Sequence, residues 1–257
     1  MTTSDSRKDT RFMFNTTSPR KIGLIDADLI EKTSYFPNLA LMKISTYLKS
    51  LGHDVVLLMT YPEIERYYRV YVSKVFLKTE TNPALFLDNV IIGGTGFPEQ
   101  DIPLPEYINT FSPDYTLYDD VISRGFIPSN RIRYYKEYAI LFMTRGCFRK
   151  CSFCVNKKYD AAFRSDNLKD SLLSHHTKII CLDDNVLAYD TGTDSWRDVF
   201  RELNDTGIPF QFNQGLDIRL LDEEKSRVIN ESRLTGDVIF AYDDINQEKL
   251  IESKLEL

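Results

Sequence analysis

The chain has 257 residues, 42% of them hydrophobic, enough for one large core or two small ones. Its net charge of −6 and pI near 5.2 argue against a dedicated nucleic-acid coat or an anionic-membrane binder. No apolar run approaches the roughly 20 residues of a membrane span. Residues 1–19 are polar and rich in Ser and Thr, without the apolar centre of a signal peptide. They read as a disordered tail, and the chain as cytoplasmic. In a reducing compartment, clustered cysteines point to a metal or catalytic site before they point to disulfides.

The first half alternates short apolar strands with helical spacing. KIGLIDAD (21–28) reads as a strand that ends in acids. In NLALMKISTYLKSLG (38–52), Leu41, Ile44, Leu48 and Leu51 recur at helical spacing, with Asn38 as N-cap and Gly52 as the stop. DVVLLM (54–59), RVYVSKVF (69–76) and NVIIGGTG (89–96) supply three further strands, the last running into a glycine turn. Apolar strands joined through helices predict a doubly wound parallel sheet over 20–128. Residues 97–128 are richer in Pro and polar side chains and lead to the domain boundary, with RIRYYKEY (131–138) as a connecting segment.

The second domain, 129–257, repeats a strand-to-helix unit. Its strands are AILFMT (139–144), KIICLDDN (178–185), IPFQFNQG (208–215) and DVIFAYDD (237–244), with helices near 196–204 and 222–233. The spacing is close to the ~30 residues per βα unit of a (β/α) barrel, with about four units visible.

Three of the four cysteines fall in TRGCFRKCSFC (144–154), as Cys147, Cys151 and Cys154 in a C-x3-C-x2-C pattern opened by Gly146. Thiolates suit iron–sulfur clusters, zinc or copper(I). A structural zinc site wants four protein ligands, often as separated C-x2-C pairs. Zinc here would need Cys181 or His175/His176 as its fourth ligand, yet Cys181 lies in an apolar strand and reads as a core thiol. Three thiolates on a four-iron cluster leave one iron open to another ligand. Around the loop, Arg145, Arg149, Lys150, Lys157 and Lys158 form a basic cluster, read as offsetting cluster charge, with an anionic substrate such as RNA as the alternative.

This cysteine pattern, with Phe153 just before the last cysteine and the loop following a strand, resembles the radical S-adenosylmethionine (SAM) superfamily. The resemblance implies a [4Fe–4S] cluster held by Cys147, Cys151 and Cys154. It implies SAM on the open iron, reductive cleavage to a 5′-deoxyadenosyl radical, and hydrogen abstraction or methyl transfer on an unknown substrate. Phe153 would pack near the adenine. Asp183, Asp184 and Asn185 resemble the D-D/E-N segment of members with a cobalamin-binding-type first domain, where it lies near the SAM methionine; the alternative is an acidic helix cap. Gln214, Asp217 and Arg219 in NQGLDIRLL resemble a third-strand segment that reaches SAM or substrate, against a surface ion pair. Asp243 and Asp244 stand where related enzymes carry polar SAM contacts.

The first domain resembles the cobalamin-binding-like domain of that subfamily, and Gly93-Gly94 is where a nucleotide tail would approach the backbone. The ligating motif D-x-H-x-x-G is absent: the chain reads Asp26-Ala27-Asp28-Leu29-Ile30-Glu31, and His53 reads as a helix-end residue. Cobalamin therefore stands as a third implied cofactor without its protein ligand. The resemblance also implies an electron donor such as flavodoxin or ferredoxin. The family's partial barrel has six units, so a second polypeptide completing the barrel is a further expected partner; no membrane or nucleic-acid partner is expected. Two alternatives stand beside the active enzyme: a truncated or split half-barrel that binds a cluster but is inactive alone, and a zinc-binding structural or interaction module.

Overall fold

Four strands rich in Val, Ile and Leu pair first: β1 (Lys21–Asp26), β2 (Asp54–Leu57), β3 (Arg69–Ser73) and β4 (Val90–Gly93). They form a parallel sheet of order β2-β1-β3-β4. β1 is central and buried from Ile22 to Asp26, which explains its unbroken apolar run. Alternation sends Ile22, Leu24 and Tyr71 into one apolar cluster and Ile25, Val70 and Val72 into another. Helix α1 (Leu39–Ser50) covers the first of these with Leu41, Ile44 and Leu48. The Asn38 side chain accepts from Leu41 N at 3.2 Å to cap it, and Gly52, at φ +82°, ends it.

The computed structural model describes residues 9–14, 18–100, 103–241 and 245–256. The chain divides into two compact units, Met1–Tyr135 and Lys136–Leu257. The expected tail over 1–19 is corrected where it is described. Phe12 is buried and stacks on Tyr71 with ring centres 5.0 Å apart, while Arg69 and Tyr71 donate to the Arg11 carbonyl. The remainder of that stretch, 1–8 and 15–17, lies outside the described residues.

In the second unit the strands are β5 (Tyr138–Leu141), the two-residue pair β6 (Thr144–Arg145) and β7 (Phe163–Arg164), then β8 (Lys178–Cys181) and β9 (Phe210–Phe212). β5, β8 and β9 form a parallel sheet of order β5-β8-β9. Helix α2 (Trp196–Asp205) follows β8, closed at its start by a capping box between Ser195 and Asp198. Helix α3 (Glu223–Glu231) follows β9, capped by Asp222, and α4 is Glu248–Leu255. Trp196, Val199, Phe200 and Leu203 of α2 pack on the sheet with Cys181, which is the core thiol expected.

Two strand expectations are corrected. AILFMT splits into β5 and β6, and β6 pairs antiparallel with β7. The break has a cause: Asp166 Oδ2 takes the Phe142 N–H at 2.9 Å and Asp183 Oδ2 takes that of Met143 at 3.1 Å. The fourth strand, expected over 237–244, is reduced among the described residues to an isolated bridge between Leu216 and Phe240. Residues 242–244, with the candidate Asp243 and its neighbour Asp244, lie outside the described residues. Among the described residues no helix is long and apolar enough to cross a membrane.

Candidate metal centre at the cysteine loop

The chain leaves the β6–β7 ribbon at Arg145 and returns at Phe163, so the cysteine loop is anchored at both ends. Gly146 turns it with φ +87°; a Cβ there would sit 2.3 Å from the Ala161 carbonyl oxygen, so only glycine fits. Inside the loop the sulfurs accept N–H groups. Cys147 Sγ accepts from Arg149 N at 3.4 Å and from Asn185 Nδ2 at 3.3 Å. Cys154 Sγ accepts from Asn156 N at 3.3 Å, and the Arg219 guanidinium hydrogen-bonds Cys151.

The three acidic and amide residues after β8 play distinct parts. Asp183 is 1% exposed; its carboxylate accepts from Met143 N, from Thr144 N at 2.6 Å and from Thr144 Oγ1 at 2.7 Å. Burial pushes its carboxyl up to about 7, although the Thr144 and Met143 donors pull it down. Asp184 accepts from Gly146 N at 2.7 Å and Asn156 Nδ2 at 2.6 Å, joining the two ends of the cysteine cluster. Asn185 Nδ2 bridges Cys147 Sγ and Asp217 Oδ2, the latter at 3.1 Å. Its Oδ1 is buried and has no partner among the described residues.

Asp217 receives the third segment. It is buried and caps the turn Ile218–Leu220 through Arg219 N at 3.3 Å. Arg219 Nε donates to it at 2.6 Å, and Arg149 Nε donates to its other oxygen. Burial alone would raise the Asp217 carboxyl, but the two guanidiniums hold it below the usual range. A buried carboxylate between two arginines is not the surface ion pair that the sequence alone leaves open.

The structure thus brings Cys147, Cys151, Cys154, Asp183, Asp184, Asn185, Asp217 and Arg219 into one network. Phe153 is on the same loop and 64% exposed, and Gln214 is exposed after β9. Asn156 and Thr144 belong to the network without a sequence signal, and Arg149 is marked in the sequence only by its place in the basic cluster. Lys150 Nζ donates to the Lys157 and Tyr159 carbonyls at 2.7 and 2.5 Å and to Asp160 at 2.7 Å, and Lys157 Nζ donates to the Ser152 carbonyl. These ammonium groups staple the loop.

The donor set fits an iron–sulfur cluster: three cysteines on one short loop, with backbone and side-chain N–H groups on the sulfurs. Among the described residues no three His, Cys, Asp or Glu side chains converge on one ion. Ligands of a four-iron cluster bind separate irons and need no such convergence.

No protein-family model and no curated protein sequence matches the chain. The solved structures that resemble it include the following three. The radical SAM methyltransferase TsrM from Kitasatospora setae with cobalamin and [4Fe–4S] cluster bound aligns with TM-score 0.56 at 14% identity, over 91% of this chain and 62% of that one. TsrM with tryptophan and the SAM analogue aza-SAM aligns with TM-score 0.50 at 14% identity, over 92% and 66%. The cobalamin-dependent radical SAM enzyme OxsB with aqua-cobalamin and SAM aligns with TM-score 0.45 at 15% identity, over 76% and 38%. The chain therefore spans less than two thirds of the length of each, and the likeness to TsrM is one of fold. What is shared is the fold: an α/β unit with a four-stranded parallel sheet, followed along the chain by a unit with a three-stranded parallel sheet.

Proposed function

We propose that the protein is a radical SAM enzyme that holds a [4Fe–4S] cluster through Cys147, Cys151 and Cys154 and SAM at the fourth iron. The observation that carries this reading is the network joining the three cysteines to Asp184, Asn185 and Asp217, residues far apart in the chain. When bound, the cluster and SAM supply one-electron chemistry for hydrogen abstraction or methyl transfer, with the electron coming from a flavodoxin- or ferredoxin-type donor. The chain's own residues bind and orient. Asp183 and Asp184 fix the loop that presents the thiolates. Asn185 aims one N–H at Cys147 and keeps a buried acceptor, its Oδ1, for an N–H of the bound SAM. Phe153 offers an exposed ring against which an adenine can stack.

The test is anaerobic. The purified chain is reconstituted with iron and sulfide, reduced, and its electron paramagnetic resonance spectrum recorded with and without SAM. A four-iron signal that shifts on adding SAM, and is lost in Cys151→Ala, is the expected result. A cluster signal indifferent to SAM would mean that the ligands serve a cluster without a SAM site. Zinc without sulfide would replace the radical reading with a structural one. Cobalamin, bound in the first of the two TsrM structures, is a separate question and turns on the first unit.

A further inference from the structure

In open α/β sheets, ligands bind outside the carboxyl ends of the strands where the strand order reverses. In the order β2-β1-β3-β4 the chain runs outward from β1 to β2 and then crosses to β3, so the switch lies between β1 and β3. Their carboxyl ends are in register: Asp26 stands opposite Ser73, and Ser73 opposite Gly93. A cobalamin tail entering this fold by the general rule needs an open crevice at that point.

The crevice is filled by the chain itself. Asp28, 3% exposed, occupies the histidine position of the absent D-x-H-x-x-G pattern. Its carboxylate accepts from Val75 N at 2.6 Å, from Phe76 N at 3.4 Å and from the Thr79 hydroxyl. Thr79 also pairs with Thr33 at 2.6 Å. Lys74, 5% exposed, donates to the Thr79 carbonyl at 3.1 Å and to Thr81 Oγ1 at 2.9 Å, with its ammonium over the Phe97 ring. Beside β1, Asn38 Nδ2 donates to Ser73 Oγ at 2.8 Å, and Tyr118 donates to Asp26 at 2.9 Å. Of the glycines that would give a ligand room, Gly94 and Gly96 are taken, while a Cβ built on Gly93 meets nothing within 4 Å among the described residues. A Cβ on Gly94 would meet the Lys74 carbonyl oxygen at 2.4 Å, and one on Gly96 would meet Lys74 Cγ at 2.8 Å. Their missing side chains admit Lys74.

We infer that the 74–81 segment, strapped by Asp28, takes the place of the ligand in the first unit, so that the unit is a closed scaffold that does not take up cobalamin. A buried carboxylate with three donors is expensive to uncover, because displacing the strap strands the charge. The residues do not fit the group that the fold would suggest. This inference concerns the first unit alone and does not depend on the cluster reading of the second.

The test uses the full chain. It is incubated with hydroxocobalamin, passed through gel filtration and read for corrinoid absorbance, with iron and sulfide content of the second unit measured separately. Wild-type protein is expected to elute free of corrinoid. Its Val75 amide is expected to exchange slowly with solvent, and at least about tenfold faster in Asp28→Ala, the effect of losing one charge-assisted hydrogen bond. Should Asp28→Ala fail to fold, Thr79→Val removes one donor and reads the same acceleration in milder form. Stoichiometric corrinoid co-eluting with the wild type overturns the inference, as does a Val75 amide exchanging at the rate of an unprotected one.

Discussion

At Gly146 a single hydrogen in place of a side chain decides whether the cysteine loop can form. The residue sits at φ +87°, where an L side chain costs about 1–2 kcal/mol. The Cβ of an alanine would also lie 2.3 Å from a backbone oxygen of the same loop, which cannot rotate away. Gly207 is the comparison: φ +70° with nothing within 4 Å of a built Cβ. Gly146→Ala is therefore expected to lose most of its reconstituted iron and sulfide, whereas Gly207→Ala loses only the conformational term and keeps its cluster. Metal analysis of the two variants side by side checks this, and equal cluster content in both would show that Gly146 does not shape the site. The cysteine spacing was legible in the sequence because ligands on one loop are close in sequence. Which acid does what was not. Asp183 and Asp184 are adjacent and chemically identical, and only the fold turns one to β6 and the other to the loop. The Arg149–Asp217 contact spans 68 residues, beyond the reach of any local pattern.

Among elements, α2 shows where periodicity reads well. Trp196, Val199, Phe200 and Leu203 recur at helical spacing and are the residues buried. Phe200 is 1% exposed, with ring centres 6.1 Å from Trp196, 6.0 Å from Phe210 and 5.3 Å from Phe212. Phe200→Ala is expected to destabilise the second unit by about 3–5 kcal/mol through lost burial and the cavity left behind. Chemical denaturation of the cluster-free protein measures this, and a loss under about 1 kcal/mol would mean that the aromatic cluster repacks. The strands of the first unit were legible for a related reason, since a sheet buried on both faces writes continuous apolar runs. The same signal misled at the ends of the second. AILFMT is apolar as far as Met143, yet Asp166 and Asp183 take the N–H groups of Phe142 and Met143 and stop the ladder. DVIFAYDD has the composition of a strand, but Val238 and Ile239 remain 40% and 51% exposed beside an isolated bridge. Apolar composition predicts burial only where a neighbouring element arrives to cover it.

For the whole molecule, the strap at the switch point and the network at the cysteine loop share one cost: carboxylates held away from water. Asp26 states it most clearly. Burial pushes its carboxyl up to about 7, the Tyr118 hydroxyl pulls it down, and the nearby Asp28 charge pushes it up again. An unfolded Asp titrates near 3.9. Between about pH 4 and pH 7 the folded state therefore binds the proton that the unfolded state has released. Stability falls as pH rises through that window, by at most about 1.4 kcal/mol per pH unit for this group. Asp183 contributes in the same direction from the second unit, so a stability profile of the wild type alone does not separate them. Asp26→Asn does. Asn keeps an acceptor for Leu29 N, a 3.2 Å bond in the wild type, and carries no charge to titrate, while Asp183 is present in both proteins and cancels from their difference. The variant is expected to gain stability relative to wild type steadily from about pH 5 to about pH 7 in urea denaturation. A difference that stays constant across those values would mean that Asp26 is ionised in the folded protein throughout, with Tyr118 and Leu29 outweighing its burial.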